Sequence, residues 1–198
     1  MGSSLDPPEL PRFLEPQSPD GIAIQIPANG SYGERTGRLQ RKLFELLGRA
    51  NALLYRRSGG TDPISRMWDF PTVLLTTTGA RSGLARTSAI GGFPDGDDAW
   101  LVVATGVTGM ARHPAWFLNL ARNPGDVWLE VGKRRFRVSA RSLHGAERRA
   151  AFERIAAISP RYAKTQAKTD RELPVLRLTV RSPDQPADRS GGPAQGSS

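Results

Sequence analysis

The stretch Leu74-Leu-Thr-Thr-Thr-Gly-Ala-Arg-Ser-Gly-Leu-Ala-Arg-Thr87 decides how this chain is read. It leaves an apolar, threonine-rich segment, Thr72 to Thr78, that suits an extended strand, and re-enters one near Arg86 after a loop with two glycines and an arginine. Glycine lets backbone N–H groups converge. Arg81, Ser82, Arg86 and Thr87 then add charge-assisted and neutral donors around Gly79 and Gly83. Such a loop suits a phosphate or a carboxylate. It lacks the lysine placement of a P-loop and the glycine spacing of a dinucleotide fingerprint, and a polar hairpin turn would share its composition.

Outward from this loop the period of strands recurs at Arg86 to Phe93, Ala99 to Thr105, Val127 to Val131, Arg134 to Ala140 and Val175 to Val180. Asp95-Gly96 and Gly132-Lys133 stand where tight hairpins turn. Short helices are expected from His113 to Leu120, with Pro114 in the first turn, and from Gly145 to Ile158, ending before Pro160. Six mainly antiparallel strands with interposed helices predict an α+β domain built on a closed or split β-barrel.

Upstream, Leu39, Leu43, Leu46, Leu47, Ala50, Leu53 and Leu54 fall on one helical stripe between Thr36 and Arg57, opposite a face rich in arginine and lysine. That helix packs on its own domain or lies on an anionic membrane surface. Residues 1–35 read as a flexible arm, although Ile22, Ile24 and Ile26 alternate within it, and residues 181–198 read as a disordered tail. The domain is therefore expected over 36–180.

Composition narrows the function. The 198 residues suffice for one core; cysteine is absent and only His113 and His144 supply imidazoles, so no metal site is expected. A formal charge of +9 attracts acidic partners, yet the arginines are spread out and few aromatics interleave with them, which argues against nucleic acid. No secretory leader or membrane-spanning run is apparent, so a cytoplasmic protein is expected, with peripheral membrane association open.

Two further clusters carry chemistry. Ala104-Thr105-Gly106 and the segment His113-Pro-Ala-Trp116-Phe117 would bring a strand end to a helix start, where Trp116 walls an aromatic ring or simply fills the core. His113 reads as a capping or surface residue. In Ser159 to Pro174, Tyr162 offers a stacking face and a phenolic proton, or is a plain surface tyrosine, while Asp170 and Arg171 cap or brace the approach to the last strand.

Taken together, LLTTTGARSGLART at 74–87, HPAWFLNLARNP at 113–124 and YAKTQAKTDRELPV at 162–175 resemble the deazaflavin-dependent nitroreductase family, with Leu54-Tyr-Arg-Arg-Ser-Gly-Gly60 as its lead-in. The resemblance implies a split β-barrel that binds coenzyme F420. It implies that Gly79, Arg81, Ser82, Gly83, Arg86 and Thr87 hold the phosphate and oligoglutamate tail, that Ala104 and Thr105 border the ring, and that Trp116 closes the pocket. Tyr162 would line the acceptor side or supply a proton. The implied activity is hydride transfer from reduced F420 to a conjugated acceptor: a quinone, an enone or a nitroaromatic compound. An FMN-binding split-barrel reductase, a non-catalytic cofactor carrier and a membrane-surface protein are the alternatives, and monomer and homodimer are both open. Ser159 and Thr165 replace tyrosines found in relatives that reduce nitroimidazoles, which argues against nitro reduction. The loop 106–112, with Met110, is one residue longer than in typical members.

Overall fold

Val73 and Leu75, Val102, Val127 and Leu129, Val138, and Leu176 and Leu178 occupy alternate positions on their strands, and in the computed structural model all of them face one interior. The structure describes residues 24–30, 50–66, 70–105 and 112–181. Residues 50–58 are helical (α1), followed by a single turn α2 (Pro63–Arg66). Then come β1 (Thr72–Thr78), β2 (Ala85–Gly91), β3 (Phe93–Pro94), β4 (Ala99–Val103), α3 (Ala115–Arg122), β5 (Val127–Val131), β6 (Arg134–Ser142), α4 (Gly145–Ile158), α5 (Arg161–Gln166) and β7 (Val175–Val180). The strands lie in the order β2-β1-β5-β6-β7-β4-β3, and every pairing is antiparallel.

Strand β6 makes the corner. Its first half, Arg134 to Arg137, pairs with β5, and its second half, Val138 to Ser142, pairs with β7, so the sheet curls into a half-barrel as an α+β split barrel requires. Seven strands stand where six were expected, because Gly92 interrupts the segment Arg86–Phe93. The Gly92 N–H donates to the Pro71 carbonyl at 2.9 Å, and a Cβ there would stand 2.5 Å from Val73 Cγ2. Only glycine allows that approach. Between β5 and β6, Gly132 takes φ +60 and Val131 pairs directly with Arg134, giving the expected two-residue hairpin.

The outer face is covered twice. Leu101, Val103 and Val175 pack beneath Ala151 and Ile155 of α4 and Tyr162 of α5, while Leu74 packs beneath Ala52 and Tyr55 of α1. The helix expected over 36–57 is present where it is described, at 50–58; its earlier part, and the tail from residue 182 onward, lie outside the described residues. Helix α4 has the expected bounds, whereas α5 was not foreseen. No helix among the described residues is long and apolar enough to cross a membrane.

One expectation is corrected. Residues 24–30 of the supposed flexible arm are docked: Ile24 is 1 % exposed within the interior cluster, and Pro27 and Asn29 accept hydrogen bonds from His113. A buried isoleucine and two specific acceptors outweigh the loop-like composition of this stretch.

Candidate active site

Antiparallel pairing sends the end of β1, the start of β2, the end of β4 and the start of β7 to one end of the barrel. The loop 79–84, the residues Ala104 and Thr105, and Pro174 are thereby gathered there; the Ala104 N–H donates to Pro174 O at 2.9 Å. Helix α3 closes the interior, burying Trp116, Phe117, Leu120 and Ala121. Its Asn119 stitches the helix to the loop: Oδ1 accepts from the Ala80 N–H at 3.0 Å, and Nδ2 reaches Thr77 Oγ1 at 3.5 Å. Asn123 Nδ2 adds a bond to Thr78 O at 3.0 Å.

The loop itself is a tight cradle. The Gly79 N–H donates to Leu84 O and the Gly83 N–H to Gly79 O, both at 2.8 Å, with Gly83 at φ +65. A Cβ on Gly79 would lie 2.7 Å from Ser82 Oγ and 3.6 Å from Arg86 Cγ, so a side chain there would fill the cradle. Arg81, Ser82, Gly83 and Arg86 are exposed. Among the described residues neither the Arg81 nor the Arg86 guanidinium has a protein acceptor or acidic partner, and the N–H groups of Arg81 and Ser82 have no backbone acceptor. Free guanidinium and amide donors around a glycine turn form a donor set for an anion, and they fit the phosphate and carboxylates of a deazaflavin tail.

Thr87 does not share this site. Arg86 pairs with Thr77 and so lies on the interior face, whereas Thr87 pairs with Thr76 on the outer face, as successive strand residues must. There its hydroxyl meets Thr76 Oγ1 at 2.8 Å and Arg56 Nη2 at 3.5 Å. Arg56 in turn grips Glu130 through two bonds, at 2.8 and 2.6 Å, which hold its guanidinium above its usual pKa. Thr87 is therefore part of the seam between α1 and the sheet.

At the end of β4, Arg171 is buried and connects three groups. Its Nη2 donates to Ala104 O at 3.0 Å and to Thr105 O at 3.3 Å, and its Nη1 lies 3.2 Å from His113 Nδ1. A guanidinium only donates, so Nδ1 must accept. The imidazole proton then sits on Nε2, which donates to Pro27 O at 2.7 Å. Burial pushes His113 below the ordinary imidazole value of 6.5; the Pro27 bond opposes this and the Arg171 charge adds to it, so a neutral ring fits the network. His113 is thus neither a surface residue nor a helix cap.

Tyr162 is placed elsewhere. Ala104, Val102 and Trp116 share the interior cluster, while Tyr162 packs on the opposite face of β4 with Leu101 and Val103. It meets Phe93 edge-on at 5.5 Å and Phe70 at 5.8 Å, and its hydroxyl abuts Gly91, where any Cβ would collide with it. The sheet lies between this tyrosine and Trp116, so the phenol expected at the acceptor side is a packing residue of the outer core. Ser159, also fully buried, ends α4 beside it, while Thr165 is half-buried on α5. The loop 106–111, including Met110, lies outside the described residues.

Asn119 and Arg171 were not foreseen as parts of this site. An asparagine in a short apolar helix and an arginine flanked by two acids are the signals that marked them.

A family model described as F420H(2)-dependent quinone reductase matches residues 47–180. The chain belongs to this family. Among curated relatives, the F420H(2)-dependent quinone reductase Rv1261c of Mycobacterium tuberculosis is 35 % identical over 150 residues, 72 % of this chain and 96 % of the relative. The putative F420H(2)-dependent quinone reductase Mb1292c of Mycobacterium bovis matches with the same identity and coverage. A solved F420-H2 dependent reductase, FDR-A, superposes with a TM-score of 0.50 at 35 % identity, covering 55 % of this chain and 93 % of that one. A second structure, described as a domain-swapped dimer, has a TM-score of 0.51 at 30 % identity and covers 69 % and 98 %. The family is one of oxidoreductases whose cofactor is F420.

Proposed function

We propose that this protein is an F420H2-dependent oxidoreductase whose acceptor is a quinone. The observation that carries the reading is the cradle at Gly79 to Arg86, where two exposed guanidinium groups without protein partners among the described residues stand at the barrel end that also holds Ala104, Thr105 and Trp116. Reduced F420, when bound, supplies a hydride, which together with a proton converts a quinone to its hydroquinone. The chain's own part is to bind and to orient. Arg81, Ser82, Gly83 and Arg86 hold the anionic tail, the Ala104–Thr105 backbone borders the ring, and Trp116 with α3 keeps water from the interior side. Thr87 and Tyr162 stay outside this shell.

Titrating the purified protein into F420 while following cofactor fluorescence tests the reading, with FMN in a parallel cell. Saturable quenching by F420 followed by quinone-dependent oxidation of the reduced cofactor is expected. Absence of binding at micromolar protein, or preference for FMN, would refute it.

A second reading concerns where the protein works. Leu53 and Leu54 are 63 % and 43 % exposed on α1, and Arg57 is exposed beside them. We propose that this face lets the protein rest on an anionic bilayer. Sedimentation with phosphatidylglycerol vesicles should retain the wild-type protein and release Leu53→Glu/Leu54→Glu; equal partitioning of the two would overturn it.

A further inference from the structure

Residues 24–29 and the ring end of the site are connected by an unbroken set of contacts. Ile24 packs in the same interior cluster as Ala104 and Trp116. Pro27 O accepts from His113 Nε2 at 2.7 Å, and Asn29 Oδ1 accepts from the His113 N–H at 3.4 Å. His113 passes the contact to Arg171 through Nδ1 at 3.2 Å, and Arg171 fixes the Ala104 and Thr105 carbonyls at 3.0 and 3.3 Å. One imidazole and one guanidinium thus join an N-terminal strap to the two residues that border the ring.

We propose that residues 24–29 form a wall of the deazaflavin-ring pocket, and that Arg171 and His113 are the positioning residues that seat it. The inference rests on the F420 reading above. A removable plug would be held by few, exposed contacts. Here Ile24, His113 and Arg171 are 1 %, 8 % and 4 % exposed, so lifting the strap would open the interior cluster and leave His113 Nε2–H and the His113 amide without their acceptors. A fixed wall also suits hydride transfer, which is favoured when the ring is held in one pose against its acceptor. The strap therefore contributes to ring binding, whereas the cradle at 79–86 contributes to tail binding.

That division sets the experiment. Affinities for F420 and for its ring fragment lacking the phosphate and glutamate tail are measured by fluorescence for wild type, His113→Gln, Arg171→Lys, Ile24→Ala and Arg81→Ala. Hydrogen exchange of the peptide spanning residues 24–30 is followed in the cofactor-free protein. His113→Gln and Arg171→Lys should speed that exchange and weaken both ligands by about tenfold, a factor expected for one lost buried hydrogen bond. Arg81→Ala should weaken F420 alone. Ile24→Ala, which leaves His113 and Arg171 intact, should weaken the ring fragment too, and it serves as the deciding variant should the polar ones fail to fold. A strap that loosens while the ring fragment binds as tightly as before, or more tightly, overturns the wall. Unchanged exchange in His113→Gln and Arg171→Lys overturns the seating. Wild-type protein that binds neither ligand removes the F420 reading and the wall with it, whereas wild-type binding with indifferent variants removes the wall alone.

Discussion

The arginines of the barrel wall and those of the loop at its open end differ in what holds them. Arg56 is gripped by Glu130, Arg177 by Asp95 and Glu147, and Arg148 by Glu172 and the Leu173 carbonyl. Each of these charges is used to join two elements: α1 to β5, β7 to the β3–β4 turn and α4, and α4 to the lead-in of β7. Arg81 and Arg86 join nothing among the described residues. A net charge of +9 is therefore not one undifferentiated field. Arg56, Arg148 and Arg177 are neutralised by carboxylates of the fold, whereas Arg81 and Arg86 have no acidic partner among the described residues.

The largest effect that tests this contrast is expected at the cradle. Replacing Arg81 and Arg86 together by Ala removes two charge-assisted contacts, each of which contributes about 1.5–3 kcal/mol, so F420 affinity should fall by about 100-fold or more. Melting temperature should not fall. If the double variant melts early and still binds, the assignment of these arginines is reversed. Next in size is the wall. Arg56→Ala leaves the Glu130 carboxylate, whose side chain is only 10 % exposed, without its partner. Because Arg56 itself is nearly half exposed, the loss should be about 2 kcal/mol, smaller than for a wholly buried pair. Urea unfolding measures it, and F420 affinity should stay at the wild-type value.

A third test concerns the buried relay of His113 and Arg171 at the end of β4. His113 has a folded-state pKa below its unfolded value, because burial and Arg171 disfavour the imidazolium. The unfolded chain therefore binds more protons once pH falls below about 6.5, and stability must fall in that direction. The contribution is complete above the unfolded value and is lost as pH drops toward the depressed folded one. Wild type should lose more melting temperature than His113→Gln between pH 7.5 and pH 5.5, and parallel curves would remove the relay from the account.

The same division between wall and cradle explains what was legible in the chain. The strands were readable because apolar positions alternate and one face of each is buried; Thr72–Thr78, Val127–Val131 and Val175–Val180 stand where they were expected. Gly145 and Pro160 bound α4 for the same local reasons. The turn at 79–84 was readable because Gly79 and Gly83 break the strand period between Thr78 and Ala85. Tyr162 was not: whether a helix places its phenol inside or outside a barrel depends on how that helix crosses the sheet, which no local pattern encodes. The strap was hidden in another way. Its acceptors for His113 lie 84 and 86 residues away in sequence, and prolines and glycines around Ile24 mask a single well-buried side chain.

The smallest predicted effect falls on Thr87, where parity along a strand decides the matter. Arg86 and Thr87 are adjacent, so one faces the interior and the other cannot. Thr87→Val keeps the shape and β-propensity of the side chain but deletes the 2.8 Å bond to Thr76 Oγ1, leaving that largely buried hydroxyl without this partner. A loss of about 1 kcal/mol in stability is expected. F420 affinity should be unchanged, in contrast to Arg86→Ala one residue away. A Thr87→Val protein of normal stability but weakened F420 binding would mean that the ligand reaches the outer face, and the line between wall and cradle would have to be redrawn through β2 itself.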